Sequence, residues 1–395
     1  MEFAHLSDVH LGGWKDKKLT TLGLQAFETA IKLCIENKLD FILIAGDLFN
    51  TAIPPIDIVK DTARILKKVN DHGIPVYAIP GSHDFSAAGK TMLDVFEEAG
   101  LLINVMKYKN KNELDFVIDK KTGVKLAGFY GKKGGLEKFE LKDINKINLE
   151  KEDGFKIFLF HTGIYEFMPL DLKEKMESSP RSMLPKNFSY YGGGHIHYIF
   201  NHKEQKSLIA FPGALFPNSF KELEEFKTGG MYIADDKFNL KYIPITTKIV
   251  HCINIEANNK TPEEVTHEIV SNADGIEDKI VLIRIHGELA SGKISDINFV
   301  HIYELLSKAY VILRNTTKLQ SRDYDQIKVS EKSIEELETE LLAAADLTSL
   351  ENEHFERFAQ TLMHTLNLEK LDGEKNASFE DRVIKEANSL FEIEL

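Results

Sequence analysis

Five short segments of this chain carry carboxylate and imidazole side chains, and each follows a hydrophobic stretch. In chain order they are Asp8-Val9-His10, Gly46-Asp47, Gly81-Ser82-His83-Asp84, His161 and Gly194-His195-Ile196-His197. Carboxylate oxygens and imidazole nitrogens are ligands for hard and borderline divalent cations. Together the segments predict a pocket for two such cations, an arrangement that hydrolyses phosphate esters.

The spacing within the segments supports this interpretation. Asp8 and His10 are separated by one residue, so on an extended segment both side chains point to the same side. His195 and His197 repeat the spacing, after glycines that permit a close approach of the backbone. Asp47 is the best candidate for a carboxylate that bridges the two ions.

Each segment alone is weak evidence. A D-x-H triplet arises by chance, and a histidine after a strand is usually a structural residue. The joint pattern, with all five segments in this order and each after a strand, favours the two-metal site. His5 and His72 show no such context, and we expect them to be ordinary residues.

Hydrophobic periodicity indicates the elements that must position these segments. The predicted elements are a strand at 2–7, a helix at 20–37, a strand at 41–45, a helix at 55–71, a strand at 76–79 and a helix at 87–99. This alternation predicts a layered α/β domain. From about 101 to 249 strands predominate, and one of them, 156–160, ends at His161. Open α/β sheets place their sites at the carboxyl ends of strands, where these segments lie.

The chain divides into three predicted parts. They are a motif-bearing domain at 1–249, a small α+β domain at 250–326 with its clearest strand at 280–285, and an acidic helical tail at 327–395. One apolar stripe of the tail has helical spacing and consists of Phe355, Phe358, Leu362 and Leu366. Ser378, followed by Asp381, resembles a capping box that opens a last helix.

Charge and cysteine content limit the functional classes. The net charge is −13, but residues 331–395 alone hold 17 Asp and Glu against 6 Lys and Arg. Residues 1–330 are nearly neutral. The negative net charge of the whole chain therefore excludes a simple polybasic binder but does not exclude a DNA substrate. Two cysteines form no disulfide framework, and Cys34 is expected in the core. Neither a signal peptide nor a membrane-spanning run is recognisable, so we expect a cytoplasmic protein.

The five segments resemble the calcineurin-like metallophosphoesterase superfamily, whose pattern is D-x-H, G-D, G-N-H-[DE], H and G-H-x-H. The resemblance covers about residues 1–249, and its motifs are highly specific. It implies an α/β, layered metallophosphoesterase sandwich, here with a small α+β cap domain and a helical C-terminal tail. It also implies a dinuclear metal-dependent phosphodiesterase.

Carried over motif by motif, the resemblance assigns a role to each candidate residue. One metal would be held by Asp8, His10, Asp47 and His197. The other would be held by Asp47, Ser82, His161 and His195. His83 would stabilise or protonate the leaving group without binding metal, and Asp84 would orient it.

The chain departs from the family pattern at Ser82, where the family usually has Asn. A Ser hydroxyl is shorter than an Asn amide and is a poorer neutral ligand. Either the second metal binds more weakly or through a water, or Ser82 is a lineage variant that still ligates. The sequence leaves both possibilities open.

Within the superfamily the chain is most similar to the SbcD/Mre-eleven DNA double-strand-break repair nucleases. The stretches that carry this resemblance are 3–12, 45–50 with Pro54-Pro55, 190–197 and 211–214. It implies a manganese-dependent 3′–5′ exonuclease and single-strand endonuclease that processes breaks for homologous recombination. Two divalent ions are the implied cofactors; Mn²⁺ suits the ligands best, and Fe, Zn and Mg also fit them. We expect the source organism to be a prokaryote, and an archaeon rather than a bacterium.

The same resemblance implies partners. A homodimer would form through helices near 55–70 and 87–99, whose apolar stripes could equally be plain core. A Rad-fifty/SbcC-type coiled-coil ATPase would bind the C-terminal helices, with Phe355, Phe358 and Leu362 as candidate docking residues unless these pack within the tail. Candidate DNA contacts are Lys15, Lys17, Lys18, Lys132 and Lys133. Trp14 could stack on a base or pack on the domain.

Two alternatives to a DNA nuclease stay open. One is a phosphoesterase that acts on small nucleotides with the same metals, which the extra domain and tail disfavour. The other is a catalytically weakened scaffold that binds DNA ends for the ATPase, its catalysis lost with Ser82. Retention of every other ligand disfavours this second alternative.

Overall fold

The structure, a computed structural model, describes residues 1–86, 89–173, 176, 178–322, 361, 362, 365, 368, 370 and 376–390. Its contacts divide the chain into two compact units, Met1–Arg322 and Asp323–Leu395. All five motif segments lie in the first unit. Within the described residues, no helix is both long enough and apolar enough to cross a membrane.

Strands and helices of the described residues alternate up to β4, and strands predominate after it. The strands are β1 Glu2–Leu6, β2 Phe41–Ala45, β3 Val76–Ile79, β4 Ile103–Asn104, β5 Lys107–Asn110, β6 Glu113–Asp115, β7 Val117–Ile118, β8 Lys125–Phe129, β9 Lys156–His161, β10 Gly163–Ile164, β11 Ser178–Ser179, β12 Tyr190–Gly194, β13 Phe200–Lys203, β14 Leu208–Phe211, β15 Gly229–Asp235, β16 Leu240–Ile245, β17 Val250–Glu256, β18 Ile280–Leu289 and β19 Val311–Ser321. The α-helices are α1 Lys17–Glu36, α2 Ile56–Asp71, α3 Met92–Glu98, α4 Glu137–Asp143, α5 Ile147–Lys151, α6 Leu170–Lys173, α7 Phe220–Phe226, α8 Pro262–Ser271, α9 Phe299–Leu305 and α10 Asn376–Leu390.

Two six-stranded sheets pack face to face. Sheet I has the order β16-β15-β1-β2-β3-β4, and sheet II has the order β13-β14-β12-β9-β8-β7. Aromatic side chains fill the space between them: Phe3 stacks on Phe41 and meets Tyr190 edge-on, with ring centroids 5.0 Å apart in both pairs. Helices α1–α3 cover the outer face of sheet I, and α4 and α5 pack on sheet II. The predicted α/β layered sandwich is confirmed.

Strand β2 shows why the central strands read as continuous apolar runs. Phe41 and Leu43 point toward sheet II, whereas Ile42 and Ile44 point toward the helices, and all four are fully buried. A parallel strand covered on both faces needs apolar residues at every position. Each such side chain contributes about 1.5–3 kcal/mol through its transfer out of water.

Helix α1 and the loop before it contain Cys34 and Trp14, whose surroundings the structure shows. Asp16 caps the helix by accepting the backbone N–H groups of Lys18 and Leu19. Cys34, on the buried face, is fully shielded, and burial raises the pKa of its thiol to about 12, so it is a core residue. Trp14 donates its indole N–H to the carbonyl of Pro217 at 2.9 Å, and therefore packs on the domain.

The small domain is a three-stranded parallel sheet, β17-β18-β19, with α8 and α9 packed on one face. Ile280, Leu282 and Val311 join the cluster that lies under α1, so the small domain packs on the sandwich. The sequence pattern missed β19. Its middle, residues 314–317, is polar because one face of this strand stays open.

The second unit tests little of what was predicted for the tail. Ser378 lies inside α10 rather than before it, so the prediction that Ser378 opens this helix is wrong. Leu362 is helical and half-buried. Phe355, Phe358 and Leu366 lie outside the described residues.

Candidate metal centre

The five motif segments meet at one edge of the sandwich, where parallel strands of both sheets end. Asp8 follows β1, Asp47 follows β2 and residues 82–84 follow β3, all in sheet I. His161 is the last residue of β9, and residues 195–197 follow β12, both in sheet II. The site therefore lies across the two sheets, at the carboxyl ends of their strands.

Asp47 lies at the centre of this group. Its Oδ2 is 3.2 Å from Nε2 of His161 and 3.6 Å from Nε2 of His10. The hydroxyl of Ser82 donates to the same oxygen at 3.4 Å, and the backbone N–H of His83 donates to Oδ1 at 2.8 Å. One carboxylate thus reaches histidines from both sheets, as a bridging ligand must.

Asp8, His10 and His197 form one convergent group, whose ligand atoms lie within 4.8 Å of one another. The Nε2 atoms of His10 and His197 are 2.9 Å apart, and that of His197 is 3.7 Å from Oδ1 of Asp8. The same Oδ1 accepts the backbone N–H of His195 at 2.9 Å. The Asp8 carboxylate therefore also joins the end of β1 to the end of β12.

Asp8, Asp47 and His161 form a second convergent group. His161 donates Nδ1–H to the carbonyl of Ala45 at 2.8 Å, which leaves Nε2 turned toward the carboxylates. Among the described residues that buried Nε2 makes no hydrogen bond, although it lies 3.2 Å from Oδ2 of Asp47. His195 joins none of the three convergent groups found in the described chain, the third of which is His10, Asp47 and His83; its ring packs edge-on against that of His161, with centroids 5.3 Å apart.

Four of the candidate ligands have left-handed backbone conformations. Their φ angles are +49° at Asp8, +45° at His10, +52° at Asp47 and +85° at His195. Such a conformation costs a non-glycine residue on the order of 1–3 kcal/mol, and it persists only where neighbouring structure fixes it. Backbone hydrogen bonds do so here, among them His10 N–H to the carbonyl of Asp47 at 2.9 Å.

Two glycines are required by the close approach of the strands. A Cβ on Gly81 would lie 2.2 Å from Oδ1 of Asp47. A Cβ on Gly194 would lie 2.0 Å from the carbonyl oxygen of Ala45 and 2.8 Å from Nδ1 of His161. No side chain fits at either position without displacing a candidate ligand.

The protonation states follow from burial and from the neighbouring charges. Burial lowers the pKa of His10 to about 4, with His197 adding to the effect, and burial beside His161 lowers the pKa of His195 to about 3. Burial acts the same way on His161, but the Asp47 carboxylate outweighs it and raises the pKa to about 10. For His197, burial is likewise outweighed, by Glu222 and Asp8, and its pKa rises to about 9.

These states bear on cation binding. At neutral pH His10 and His195 are neutral, whereas His161 and His197 hold protons that a cation has to displace. Burial opposes ionisation of Asp47, yet the nearby His161 keeps the pKa of this carboxyl well below its usual range. The residues fit divalent cations: the buried Nε2 of His161 makes no hydrogen bond within the described chain and faces the Asp47 carboxylate, and the Nε2 atoms of His10 and His197 face each other.

The segment 82–84 places its last two side chains differently. His83 donates Nδ1–H to the carbonyl of Asn50 at 2.8 Å, and a ring nitrogen lies within 4.8 Å of ligand atoms of His10 and Asp47. Asp84 is buried behind the site, and burial beside Asp47 raises the pKa of its carboxyl to about 7.

The Asp84 carboxylate accepts three backbone N–H groups, from Leu48 at 3.3 Å, Phe49 at 3.1 Å and Gly81 at 2.9 Å. Its hydrogen bonds in the described chain thus go to backbone and not to the His83 ring. They hold the loop after β2 against the loop after β3.

The five lysines predicted to contact DNA fall into two sets. The Lys18 ammonium donates to the carbonyl of Tyr310 at 2.6 Å, and Lys132 pairs with Glu140. The exposed lysines that remain are Lys15, Lys17 and Lys133. This second set is better placed to meet a phosphate.

Glu222 is a site residue that could not be identified from the sequence. This residue of α7 lies with its Oε1 3.1 Å from Nδ1 of His197. Ser219 and Glu222 have the S-x-x-E spacing of a helix start, which would have predicted α7 but not the contact with a candidate ligand. Only the tertiary structure brings the two side chains together.

Comparisons with known proteins show what this chain is similar to. A family model described as calcineurin-like phosphoesterase matches residues 1–198. The DNA double-strand break repair protein Mre11 of Archaeoglobus fulgidus is 26% identical over 411 residues, which cover 98% of this chain and 89% of that protein. The Mre11 of Methanocaldococcus jannaschii is 27% identical over 290 residues, which cover 71% of this chain and 75% of that protein. A solved structure from Thermus thermophilus gives a TM-score of 0.42 at 17% identity over 62% of this chain and 98% of that one.

The family model spans just over half of the chain, and every one of its motif segments reaches the same edge of the sandwich. The predicted enzyme class is thereby confirmed at the level of the family. This chain belongs to the calcineurin-like phosphoesterase family and is a metal-dependent phosphodiesterase.

Proposed function

We propose that this chain is a manganese-dependent DNA nuclease that processes double-strand breaks, as a 3′–5′ exonuclease and a single-strand endonuclease. The observation that carries the proposal is the convergence of carboxylate and imidazole ligand atoms around Asp47. Its likeness to archaeal proteins named for DNA double-strand break repair supports DNA as the substrate. Two cations, when bound, would supply charge neutralisation for a phosphodiester under attack.

We assign the cations to seven side chains: Asp8, His10, Asp47, Ser82, His161, His195 and His197. Oxygen and imidazole donors without thiolate suit Mn²⁺. Ser82 is the weakest of the seven, because its hydroxyl already donates to Asp47 at 3.4 Å.

His83 would act on the substrate directly. Its Nδ1–H is held by the carbonyl of Asn50, so Nε2 is the atom that can meet the phosphodiester. When the ring is protonated, Nε2–H can donate to the leaving oxygen as the bond to phosphorus breaks. Such proton transfer contributes about 10²–10⁴-fold to a rate.

Asp84 would act through other residues. By accepting the N–H groups of Leu48, Phe49 and Gly81, it keeps the loops that carry Asp47 and His83 in register. We therefore propose a positioning role for Asp84 rather than direct contact with the leaving group.

A groove lined mainly by polar and charged residues offers a path for the DNA backbone. It has a volume of about 820 Å³ and lies between α7 and the open face of the β17–β19 sheet. Lys221 and Lys318 line it, as does Arg284, whose guanidinium is paired with Glu224 of the same groove. Lys221 also lines the cavity that contains His195 and His197. Phosphate contacts of this kind fix position and weaken with salt.

Further proposals concern the partners. Ile53, in the loop before α2, and Ile56, the first residue of α2, are each 81% exposed, and Val95 on α3 is 56% exposed. The stripe of α2 that includes Leu66 is core, so a homodimer would use the exposed residues instead. For the tail we retain the Rad-fifty/SbcC-type ATPase as the proposed partner, with Leu362 as its described contact candidate.

Cleavage of end-labelled DNA tests the proposed function. The full chain is incubated with 3′- and 5′-labelled linear duplexes and with a small phosphodiester, in Mn²⁺, Mg²⁺ or Zn²⁺. We expect Mn²⁺-dependent shortening from 3′ ends, and a loss of at least about 10²-fold in His83→Ala. Turnover of the small diester alone would favour the small-nucleotide phosphoesterase instead.

The scaffold alternative has one structural observation in its favour, the engagement of the Ser82 hydroxyl by Asp47. It predicts that neither the native chain nor Ser82→Asn cuts DNA, while both bind DNA ends and the ATPase. Cleavage by the native chain would exclude it.

A further inference from the structure

Glu222 contacts a candidate metal ligand although it belongs to none of the motif segments. Its Oε1 lies 3.1 Å from Nδ1 of His197. On the opposite side of the same ring, Nε2 lies 2.9 Å from Nε2 of His10 and 3.7 Å from Oδ1 of Asp8. The imidazole is thus held between a carboxylate and the ligand group.

The Glu222 carboxylate is itself fixed. Its Oε2 accepts the backbone N–H of Asn218 at 2.8 Å, and its Oε1 accepts the hydroxyl of Ser219 at 3.2 Å. Ser219 in turn caps α7 by accepting the backbone N–H of Glu222 at 3.2 Å. Because both oxygens are engaged, the carboxylate presents one defined position to His197.

A cation that binds His197 displaces one of the two ring protons, and the imidazole then carries its remaining proton on only one nitrogen. A carboxylate beside Nδ1 favours the tautomer with the proton there and leaves the lone pair on Nε2. In this ring Nε2 is the atom that faces Asp8 and His10. Partners of this kind orient a ligating histidine and strengthen its bond to a metal.

We propose that Glu222 is a positioning residue that fixes the orientation and the tautomer of His197, so that Nε2 is presented to a divalent cation. The proposal rests on the function proposed above, since it requires His197 to be a metal ligand. Cation affinity would then depend on Glu222, a residue outside the motif segments.

The helix that carries Glu222 is anchored to the small domain. Glu224, on the same helix, receives two hydrogen bonds from Arg284 of β18, at 2.7 Å and 2.6 Å. The Arg284 guanidinium also lies over the ring of Phe220, 5.0 Å from its centroid. Contacts from the small domain therefore help to place the carboxylate that holds His197.

A purely structural role for Glu222 makes a different prediction. Glu222 stands three residues after the capping residue of α7, and Glu264 stands at the same position after Thr261 of α8. Glu264 closes a capping box and is exposed. Glu264→Ala is thus a matched control that removes a helix-capping carboxylate in the small domain.

The experiment measures Mn²⁺ affinity by titration calorimetry on the full chain, for the native protein and for Glu222→Gln, Glu222→Ala and Glu264→Ala. Thermal unfolding of each protein without metal reports folding. Glu222→Gln keeps a hydrogen-bond acceptor and the shape of the side chain. It therefore replaces Glu222→Ala in the test if that variant does not fold. A second readout is the ¹⁵N shift pattern of the His197 ring with diamagnetic Zn²⁺ bound in place of Mn²⁺, which reports which ring nitrogen keeps its proton.

We expect Glu222→Ala to weaken Mn²⁺ binding by about 10–100-fold, and Glu222→Gln by less. Glu264→Ala should lower the melting temperature and leave the affinity unchanged. Native affinity and an unchanged His197 tautomer in both Glu222 variants would overturn the inference. If the variants bind weakly as expected but the native, Mn²⁺-loaded chain leaves DNA intact, the proposed nuclease function fails and the role of Glu222 stands. A native chain that binds no Mn²⁺ overturns both.

Discussion

Replacement of Gly194 by alanine tests whether the close packing of the two sheets positions the candidate ligands. The added Cβ would lie 2.0 Å from the carbonyl oxygen of Ala45. It would also lie 2.8 Å from Nδ1 of His161, the atom that donates to that carbonyl. The end of β12 and the end of β2 therefore have to separate.

The size of the effect follows from these distances. Cβ atoms essentially never approach another atom within 3.0 Å, so the carbonyl and the methyl group have to part by about 1 Å. Such overpacking costs about 1–3 kcal/mol. Loss of the buried hydrogen bond between His161 and Ala45 costs about 1–3 kcal/mol more. We expect a loss of about 2–6 kcal/mol in the free energy of unfolding, a large part of a typical total of about 5–15 kcal/mol.

Urea unfolding of the metal-free chain measures the stability, and Mn²⁺ titration measures the site. Displacement of His161 by about 1 Å should weaken Mn²⁺ binding and cut turnover by on the order of 10²-fold. Gly23→Ala is the control: Gly23 lies within α1, where a Cβ would meet Phe216 at an ordinary 3.8 Å. That change should stabilise the chain by about 0.5–1 kcal/mol. If Gly194→Ala unfolds at the native urea concentration and binds Mn²⁺ as the native chain does, the packing argument is wrong.

Three further predictions concern single side chains. Ser82→Asn should tighten binding of the second Mn²⁺ by about tenfold, because an amide oxygen reaches further than a hydroxyl; unchanged affinity in calorimetry would contradict this. Burial lowers the pKa of His5 to about 3 from 6.5, so below pH 6.5 the unfolded chain binds a proton that the folded chain does not, and stability falls with pH down to about 3. His5→Gln, which also loses the 2.8 Å hydrogen bond to the Tyr190 hydroxyl, should show a flatter dependence of the free energy of urea unfolding on pH, by up to about 1.4 kcal/mol per pH unit; an equal slope would refute the assignment. Arg284→Met should cost about 1 kcal/mol, and a double-mutant cycle with Glu224→Gln should return a coupling of similar size; additive losses would show that the pair contributes nothing.

The sequence could predict the sandwich because its strands and helices differ in period. The apolar run at 41–45 and the helical stripe around Leu66 are produced by burial against neighbouring layers, and burial leaves a pattern in the chain. Strand β19 could not be found in this way. Its polar residues line an open groove beside Arg284, so no alternation marks it as a strand.

The candidate ligands could be named from the sequence because short motifs at strand ends carry them. What surrounds them depends on tertiary contacts that leave no local trace. Asp84 accepts backbone groups from residues far along the chain, and Glu222 reaches His197 from a helix beyond the last motif. Likewise, nothing in the sequence shows that the ammonium of Lys18 donates a hydrogen bond to the backbone carbonyl of Tyr310.

The placement of Asp8 and Asp47 on one sheet and of His161 and His197 on the other has a mechanical consequence. Cations bound by ligands from both sheets would crosslink the sandwich. Any unfolding route that separates the two sheets would first require the cations to dissociate. At a free ion concentration about 100 times the dissociation constant, this linkage adds about 2.7 kcal/mol. The lifetime of the folded chain would then depend on the ion supply of its surroundings, and chelation would shorten it before any substrate is met.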